Sequence, residues 1–154
     1  MSTVIVLDTG VLGMIVHPSA TGEPLECKRW LEDLLAHGAS VFLPEVADYE
    51  LRRELLRIRS TKSIARLDGL KTLLNYADIT TPAMLKAAEL WASARSVGTP
   101  TADEKELDVD VVLAAQSAVL SRPGDHVVVA TTNVGHLSLF MDARTWREIP
   151  IQES

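Results

Sequence analysis

The sequence predicts an α/β fold built on a largely parallel sheet. Two short apolar runs rich in β-branched residues, TVIVL at Thr3–Leu7 and HVVVA at 126–130, are typical of strands buried on both faces. Between such runs lie segments whose apolar residues recur at helical spacing. This alternation of strands and helices indicates parallel pairing, because a return to a neighbouring parallel strand needs a long crossover connection.

The composition indicates one aliphatic globular domain spanning residues 1–154. Apolar residues make up 47% and charged residues 23%, which excludes a disordered or collagen-like chain. Only 5% of the residues are aromatic, so we expect an aliphatic core. The single cysteine, Cys27, excludes an intrachain disulfide and favours a reducing, cytoplasmic compartment. The opening MSTVIVLD has too few apolar residues for a signal peptide or a membrane span, so no membrane association is expected.

In the first third of the chain, the sequence predicts a strand, a helix and a second strand. The first strand, Thr3–Leu7, ends at the polar segment DTG. A helix is expected over 25–37, where leucines recur at helical spacing and Gly38 follows as a C-terminal cap. The run SVFL at 40–43, closed by Pro44, predicts the second strand.

The middle of the chain predicts three helices and a short strand. A helix with a heavily charged face is expected over 45–59, and another over 63–76, with Ser63 as its N-cap. A short strand is expected over 78–80. A further helix is expected over 82–97, because proline is favoured in the first turn of a helix.

The last third predicts a loop, a helix and two strands. The polar, acidic segment 98–108 is interpreted as a loop. Helical spacing resumes at 109–120, and Asp108 is a candidate N-cap for that helix. The strand 126–130 follows, and 146–149 is expected to be an edge strand.

Charge is distributed unevenly along the chain. The net charge of −6 at pH 7 excludes a strongly basic nucleic-acid-binding protein as the simple interpretation. Residues 50–71 nevertheless contain seven basic and three acidic residues, a local net charge of +4. This stretch either binds backbone phosphates, or it is a solvated helix face with i, i+3 ion pairs such as Glu50–Arg53 and Glu54–Arg57.

Acidic residues in three distant segments are candidates for a shared site. Asp8 follows the first strand, Asp110 lies at the start of a helix, and Glu50 lies in the first half of another. In open parallel sheets, sites form beyond the carboxyl ends of the strands. If the three carboxylates converge there, they repel one another and their pKa values rise unless a cation neutralises them. Mg²⁺ or Mn²⁺ is the natural cation, because both are hard ions that prefer oxygen ligands. Each acid alone also has a structural interpretation: Asp8 as a cap, Asp110 as a partner of the helix dipole and Glu50 as a solvated side chain.

Four segments together resemble a known family. VIVLDT at 4–9, PEVADYELRREL at 44–55, LDVDVVLAAQ at 107–116 and VVVATTNVGHL at 127–137 are similar, in order and spacing, to the motifs of PIN-domain nucleases, and most similar to those of VapC-type toxins. The resemblance covers nearly the whole chain. It implies a three-layer α/β/α sandwich, a Mg²⁺ or Mn²⁺ site and cleavage of single-stranded RNA. It also implies a homodimer and, if the protein is the toxin of a toxin–antitoxin pair, a small antitoxin partner.

The resemblance also implies roles for individual residues. Asp8, Glu50 and Asp110 match the acids that bind the metal, and Asn133 stands where many members carry a fourth acid. Residues expected to hold the carboxylates or water by hydrogen bonds are Thr9, Asp108 and Thr131, and those expected to bind the RNA backbone are Arg52 and Arg53. The chain departs from the family pattern at Asn133, which removes one negative charge, and at Gly10, where the usual residue is polar.

Two other functions remain open at this stage. A magnesium-dependent phosphohydrolase of small phosphate esters is compatible with an aspartate after the first strand, although Gly10 stands where such enzymes carry a second aspartate. A non-catalytic PIN-like binding module would keep the fold without holding a metal. The four helix residues Trp30, Leu31, Leu34 and Leu35 are candidates for a dimer face.

Overall fold

A computed structural model of the protein describes residues 3–96 and 104–151, and at its centre is a parallel sheet. The strands are β1 (Thr3–Leu7), β2 (Ser40–Pro44), β3 (Asn75–Ala77), β4 (His126–Thr131) and β5 (Ala143–Thr145). They lie in the order β3-β2-β1-β4-β5, with parallel pairing throughout. The helices are α1 (Thr9–Val16), α2 (Gly22–Ala36), α3 (Glu45–Arg57), α4 (Thr61–Leu73), α5 (Thr81–Ser96) and α6 (Glu104–Leu120). Across these ranges, no helix combines the length and the apolarity needed to cross a lipid bilayer.

Helices cover both faces of the sheet, because the side chains of β1 alternate between two cores. Ile5 and Leu7 lie in a larger core together with α1, α2, α3 and α4. Val4 and Val6 lie in a second core, which packs against α6. Burial on both faces explains why β1 is an uninterrupted apolar run. The predicted three-layer α/β/α sandwich with a mostly parallel sheet is confirmed.

The helix α1 is an element that the sequence interpretation did not include. It begins directly after β1, and Asp8 is its N-cap, with a side-chain oxygen that accepts a hydrogen bond from the Thr9 backbone N–H at 2.7 Å. Gly10 and Gly13 lower its intrinsic helix propensity. The cap and the burial of its apolar face stabilise it instead, and that face consists of Val11, Leu12, Ile15 and Val16.

Ser63 is not the N-cap that the sequence predicts. The helix α4 begins at Thr61, so Ser63 lies in its first turn and Ser60 occupies the N-cap position. The Ser63 side chain is buried, and its hydroxyl donates a hydrogen bond to the carbonyl oxygen of Val16 at 3.1 Å. This polar group therefore ties α4 to the end of α1.

The helix predicted over 63–76 runs too far, and the strand predicted over 78–80 is wrong. α4 stops before Asn75–Ala77, which form β3 beside β2. A long-range contact holds this strand, because the Tyr76 hydroxyl donates a hydrogen bond to Asp48 of α3 at 2.8 Å. Apolar residues continue at helical spacing into this segment, so the local pattern alone extends the helix.

The segment predicted to be an acidic loop belongs partly to α6. That helix begins at Glu104, so Asp108 lies inside it and is not its N-cap. Acidic residues are favoured near a helix N-terminus, because they interact with the positive end of the helix dipole. The rest of the predicted loop, 98–103, and the expected helix end at Val97 lie outside the described residues.

The edge strand predicted over 146–149 is wrong in position. The observed strand β5, Ala143–Thr145, is parallel to β4, and a 3₁₀ turn follows it at once. Trp146 is buried edge-on against Trp30, with ring centroids 5.7 Å apart. The Trp30 indole N–H donates to the Ile149 carbonyl oxygen at 3.1 Å. These contacts turn the chain away from the sheet after β5.

The apolar side of α2 faces the core instead of a partner. Trp30, Leu31 and Leu34 are buried in the larger core, and Leu35 packs against it. The first three are therefore not available for the dimer face expected of them, and the homodimer stays a prediction.

Gln116 of α6 caps a neighbouring helix. α3 follows Pro44, which provides no side-chain cap, so the N–H groups of its first turn need another acceptor. The Gln116 side-chain oxygen accepts a hydrogen bond from the Val46 N–H at 3.1 Å, and the residue is only 1% exposed. Its amide nitrogen donates to the Ala77 carbonyl oxygen at 2.7 Å. One amide thus joins α6, α3 and β3.

Replacing Gln116 with leucine is expected to lower the free energy of unfolding by about 2–4 kcal/mol, because the buried Val46 N–H and Ala77 C=O both lose their partner. Urea unfolding followed by circular dichroism measures the change. Val119→Ala, at an exposed position on the same helix, is the control, with an expected change within about 0.5 kcal/mol. A loss for Gln116→Leu no larger than that of the control would contradict the stabilising role.

Candidate active site

A cleft of about 340 Å³ opens at the carboxyl edge of the sheet. Its walls come from the start of α1, from α3, from α6 and from the loop after β4. The lining residues are Asp8, Thr9, Gly10, Glu50, Val109, Asp110, Asn133, Val134, Gly135 and Leu137. The structure therefore brings together the three acids predicted from distant segments, and it places Asn133 beside them.

Asp8 is held in a fixed orientation at the end of β1. Its backbone N–H donates to the Ala130 carbonyl oxygen at 3.0 Å, which continues the pairing with β4. One carboxylate oxygen accepts from the Thr9 N–H, and the other accepts from the Thr131 hydroxyl at 2.7 Å. The structural interpretation as a helix cap and the functional interpretation as a site residue are thus compatible, because one carboxylate does both.

Burial is the main influence on the protonation of Asp8. It raises the pKa of the Asp8 carboxyl above the ordinary 3.8, because the charged form loses solvation. The Thr131 hydroxyl and the Thr9 N–H oppose that rise in pKa by bonding to the carboxylate, and the negative charge of Glu50 adds to it. A carboxylate in this environment is more favourable with a cation nearby.

Glu50 and Asp110 reach the cleft from two different helices. Glu50 lies near the middle of α3, and its carboxylate is 3.8 Å from the guanidinium of Arg53. Asp110 lies in the second turn of α6 and is half-buried. Because α3 and α6 are connected through Gln116, both acids are placed by rigid elements and not by loops.

The loop after β4 is organised by Thr131. This buried residue donates its hydroxyl hydrogen to Asp8 and accepts a hydrogen bond from the Asn133 N–H at 3.1 Å. Asn133 itself is exposed and lines the cleft. The contact between Thr131 and Asp8 agrees with the role predicted for Thr131.

Thr9 contacts Asp8 through its backbone, and its side-chain hydroxyl lacks a hydrogen-bond partner among the described residues. Its N–H binds Asp8, as described above, whereas its hydroxyl oxygen is buried and has no hydrogen-bond partner among the described residues. A buried hydroxyl without a partner is costly, so this atom at the cleft is suited to a bound water or ligand.

The absence of a side chain at Gly10 has a steric explanation. A Cβ atom at this position would lie 2.6 Å from the hydroxyl oxygen of Thr132, closer than side chains approach. The space that a polar residue fills in the resembled family is therefore taken here by Thr132, from the loop after β4.

Two residues predicted to assist the site lie elsewhere. Asp108 is exposed on α6 and is not among the residues lining the cleft. Arg52 forms ion pairs with Asp48 at 2.9 Å and with Asp68 at 2.8 Å. Its charge is thus already neutralised by two acids, and these contacts argue against the RNA-binding role predicted for it.

Asp48 is the buried acid that the sequence interpretation missed. It is 4% exposed and accepts hydrogen bonds from Arg52 and from the Tyr76 hydroxyl, with Lys71 3.7 Å away. The i, i+4 spacing of Asp48 and Arg52 was the available signal. This cluster holds α3, α4 and β3 together beside the cleft.

Arg53 remains a candidate for contact with a substrate. It is 54% exposed and lies beside Glu50. The expected i, i+3 pairs Glu50–Arg53 and Glu54–Arg57 are both present. The exposed Glu54–Arg57 pair agrees with a solvated helix face, whereas Arg53 is paired with an acid of the cleft.

The side chains of the cleft suit a hard divalent cation by their chemistry. Asp8, Glu50 and Asp110 offer carboxylate oxygens, and Asn133 offers an amide oxygen. Among the side chains that the structure describes, no three acidic, histidine or cysteine residues are close enough together to share one ion. Mg²⁺ is commonly bound through one or two carboxylates and several waters, so the donors fit an ion that keeps part of its hydration shell.

Three VapBC structures are among the solved structures with a similar fold. A chain of VapBC2 from Rickettsia felis, bound to a DNA fragment from its promoter, matches with a TM-score of 0.69 and 15% identity over 93% of this chain and 98% of that chain. A chain of DNA-bound VapBC from Salmonella typhimurium matches with a TM-score of 0.66 and 17% identity, over 95% and 99%. A chain of VapBC-1 from nontypeable Haemophilus influenzae matches with 0.65 and 13%, over 94% and 99%.

These likenesses show that the chain has the fold of the VapBC chains, as the resemblance to VapC-type PIN domains predicts. No family model matches the chain, and no curated protein matches its sequence. The assignment of the fold thus depends on structural similarity, because the three matching chains are only 13–17% identical to this one in sequence.

Asp8→Asn is expected to leave the free energy of unfolding at pH 7 unchanged, or to raise it by up to about 1 kcal/mol, because asparagine is an equally good N-cap and removes a buried charge. Because the pKa of Asp8 is higher in the folded protein, the unfolded chain loses the Asp8 carboxyl proton at a lower pH than the folded protein does. In the wild type, this carboxyl therefore lowers stability as pH rises from 3.8 through the raised value, and the variant lacks that contribution. Urea unfolding across pH 3–8 measures both effects, and a loss of several kcal/mol at pH 7 would contradict them.

Gly10→Ala is expected to leave the free energy of unfolding of the wild type unchanged or to lower it, because the new Cβ meets the Thr132 hydroxyl. In a Thr132→Ala background the same substitution is expected to raise the free energy of unfolding by about 0.5–1 kcal/mol, because alanine has the higher helix propensity. A double-mutant cycle of unfolding free energies measures this coupling. Gly13→Ala is the control, since its Cβ would make only ordinary contact with Leu51 at 3.8 Å, and it should behave alike in both backgrounds. Equal effects of Gly10→Ala in both backgrounds would contradict the steric explanation.

Proposed function

We propose that the protein is a Mg²⁺- or Mn²⁺-dependent endoribonuclease that hydrolyses phosphodiester bonds of single-stranded RNA. The observation that carries the proposal is the arrival of Asp8, Glu50 and Asp110 in one cleft from β1, α3 and α6. Carboxylates that converge at the edge of a parallel sheet suit a cation, and a cation at such a site suits a phosphodiester substrate.

Each cleft residue has a role in this proposal. When bound, the ion supplies a Lewis acid that lowers the pKa of water and offsets negative charge on the phosphodiester. Asp8 and Asp110 hold it directly or through water, and Glu50 completes the site or orients the attacking water. The Thr131 hydroxyl keeps the Asp8 carboxylate oriented, and Asn133 offers an amide to water or phosphate.

The same proposal includes a toxin role with an antitoxin partner. Three VapBC structures share this fold, and two of these three are bound to DNA. We extend this to a small antitoxin that inserts a cation such as an arginine into the acidic cleft and so competes with the metal. A cytoplasmic location and a homodimer complete the proposal.

Glu50→Gln is expected to reduce RNA cleavage by about 100-fold or more, because it removes a carboxylate of the cleft. Glu54→Gln is the matched control: it lies one turn further along α3, pairs with Arg57 and does not line the cleft, so its rate should equal that of the wild type. Asp8→Asn and Asp110→Asn should also abolish cleavage. The measurement is cleavage of a labelled single-stranded RNA with Mn²⁺, with Mg²⁺ and with a chelator.

Three results would contradict the proposal. Cleavage that survives in both aspartate variants would refute the assigned residues. Hydrolysis of small phosphate esters without RNA cleavage would favour the phosphohydrolase. Absence of Mg²⁺ and Mn²⁺ binding by calorimetry in a folded protein would favour a non-catalytic binding module.

A further inference from the structure

An exposed aromatic side chain stands next in sequence to an acid of the cleft. Tyr49 precedes Glu50 on α3, and 57% of its surface is exposed. The Arg53 guanidinium lies over its ring, with the central carbon 5.2 Å from the ring centroid. The same guanidinium is 3.8 Å from the Glu50 carboxylate. Arg53 therefore connects the exposed ring of Tyr49 to Glu50, an acid of the proposed active site.

The two tyrosines of the chain are used in opposite ways. Tyr76 is half-buried and donates its hydroxyl hydrogen to Asp48, so it stabilises the fold. Tyr49 belongs to none of the buried apolar clusters of the described residues, and its hydroxyl has no hydrogen-bond partner among these residues. Packing therefore does not account for a large aromatic side chain at this position.

Arg53 differs from four other cations of its segment in the group that it contacts. Arg52 and Lys71 contact the buried Asp48, Arg57 pairs with Glu54 away from the cleft, and Arg66 donates to carbonyl oxygens at the end of α1. Arg53 is instead paired with an acid of the cleft and is mostly exposed. It places a positive charge where a polyanion approaching an acidic cleft would otherwise be repelled.

We propose that Tyr49 and Arg53 form a nucleotide-binding subsite next to the scissile phosphate. One face of the Tyr49 ring stacks on a base while Arg53 lies over the other face, and the Arg53 guanidinium binds the adjoining phosphate. Stacking of this kind tolerates any base, because every base has a π-face, so the subsite positions single-stranded RNA without reading its sequence. This inference rests on the proposed function.

A protein partner is the competing occupant of this surface. Leu56, also exposed, lies two turns beyond Tyr49 on the same side of α3, and an apolar partner would cover both side chains. The arrangement favours RNA, because the Tyr49 ring is paired with a cation and adjoins the cleft acid Glu50, whereas Leu56 lies two turns further along the helix. Leu56→Ala is therefore the matched control for loss of exposed apolar surface.

The experiment compares Tyr49→Leu, Tyr49→Phe and Leu56→Ala on a single-stranded RNA oligonucleotide that the wild type cleaves. Tyr49→Leu keeps the apolar bulk but loses the ring, so we expect binding in chelator to weaken, and KM to rise, by about 10-fold with kcat little changed. Tyr49→Phe should restore wild-type binding, and Leu56→Ala should not differ from the wild type. An abasic site moved along the oligonucleotide should weaken wild-type binding at one position and have no effect there on Tyr49→Leu.

Each outcome bears on a different statement. If the wild type cleaves RNA and Tyr49→Leu keeps its KM and its binding constant, the subsite is overturned while the nuclease proposal stands. Equal losses for Tyr49→Leu and Leu56→Ala would also overturn it, in favour of a general apolar surface. If the wild type neither binds nor cleaves single-stranded RNA, the nuclease proposal fails, and the subsite fails with it.

Discussion

The position of β1 between two parallel neighbours is the constraint on which the candidate site depends. Its pairing with β2 and β4 brings the carboxyl ends of these strands to one edge of the sheet. At that edge the Asp8 N–H donates to the Ala130 carbonyl oxygen, and the Asp8 carboxylate accepts from the Thr131 hydroxyl. The end of the β1–β4 pairing therefore also orients the Asp8 carboxylate. Asp8 is also the N-cap of α1, and Thr131 holds the start of the loop after β4 through its hydrogen bond with the Asn133 N–H. A change in strand register by one residue would turn Asp8 into the core and remove the cleft.

The fold class was predictable from sequence because its strongest signals are local. β1 and β4 are buried on both faces, and that burial appears directly as uninterrupted apolar runs. The elements that the sequence misplaces are stabilised by distant partners. β3 depends on the bond between Tyr76 and Asp48, the turn after β5 depends on the packing of two tryptophans, and α1 depends on its cap and on burial in spite of two glycines.

The site was predictable in its residue types but not in all of its contacts. Asp8, Glu50 and Asp110 occupy recognisable places in ordered motifs, and the topology explains why they meet. The pairing of Arg52 with a buried aspartate and with Asp68 of α4 depends on how two helices pack, which no local pattern shows. The same is true of Thr132, whose side chain occupies the space above Gly10 from 122 positions away in the chain.

The bridge made by Gln116 has a mechanical consequence for the cleft. The helix that carries Asp110 holds the first turn of the helix that carries Glu50, and it does so through a short, planar amide with both ends bonded. Because this link fixes one helix against the other, we expect the separation of the two carboxylates to vary less than the position of either one. For the cation of the proposed function, the protein donors would then keep their separation while its water ligands exchange.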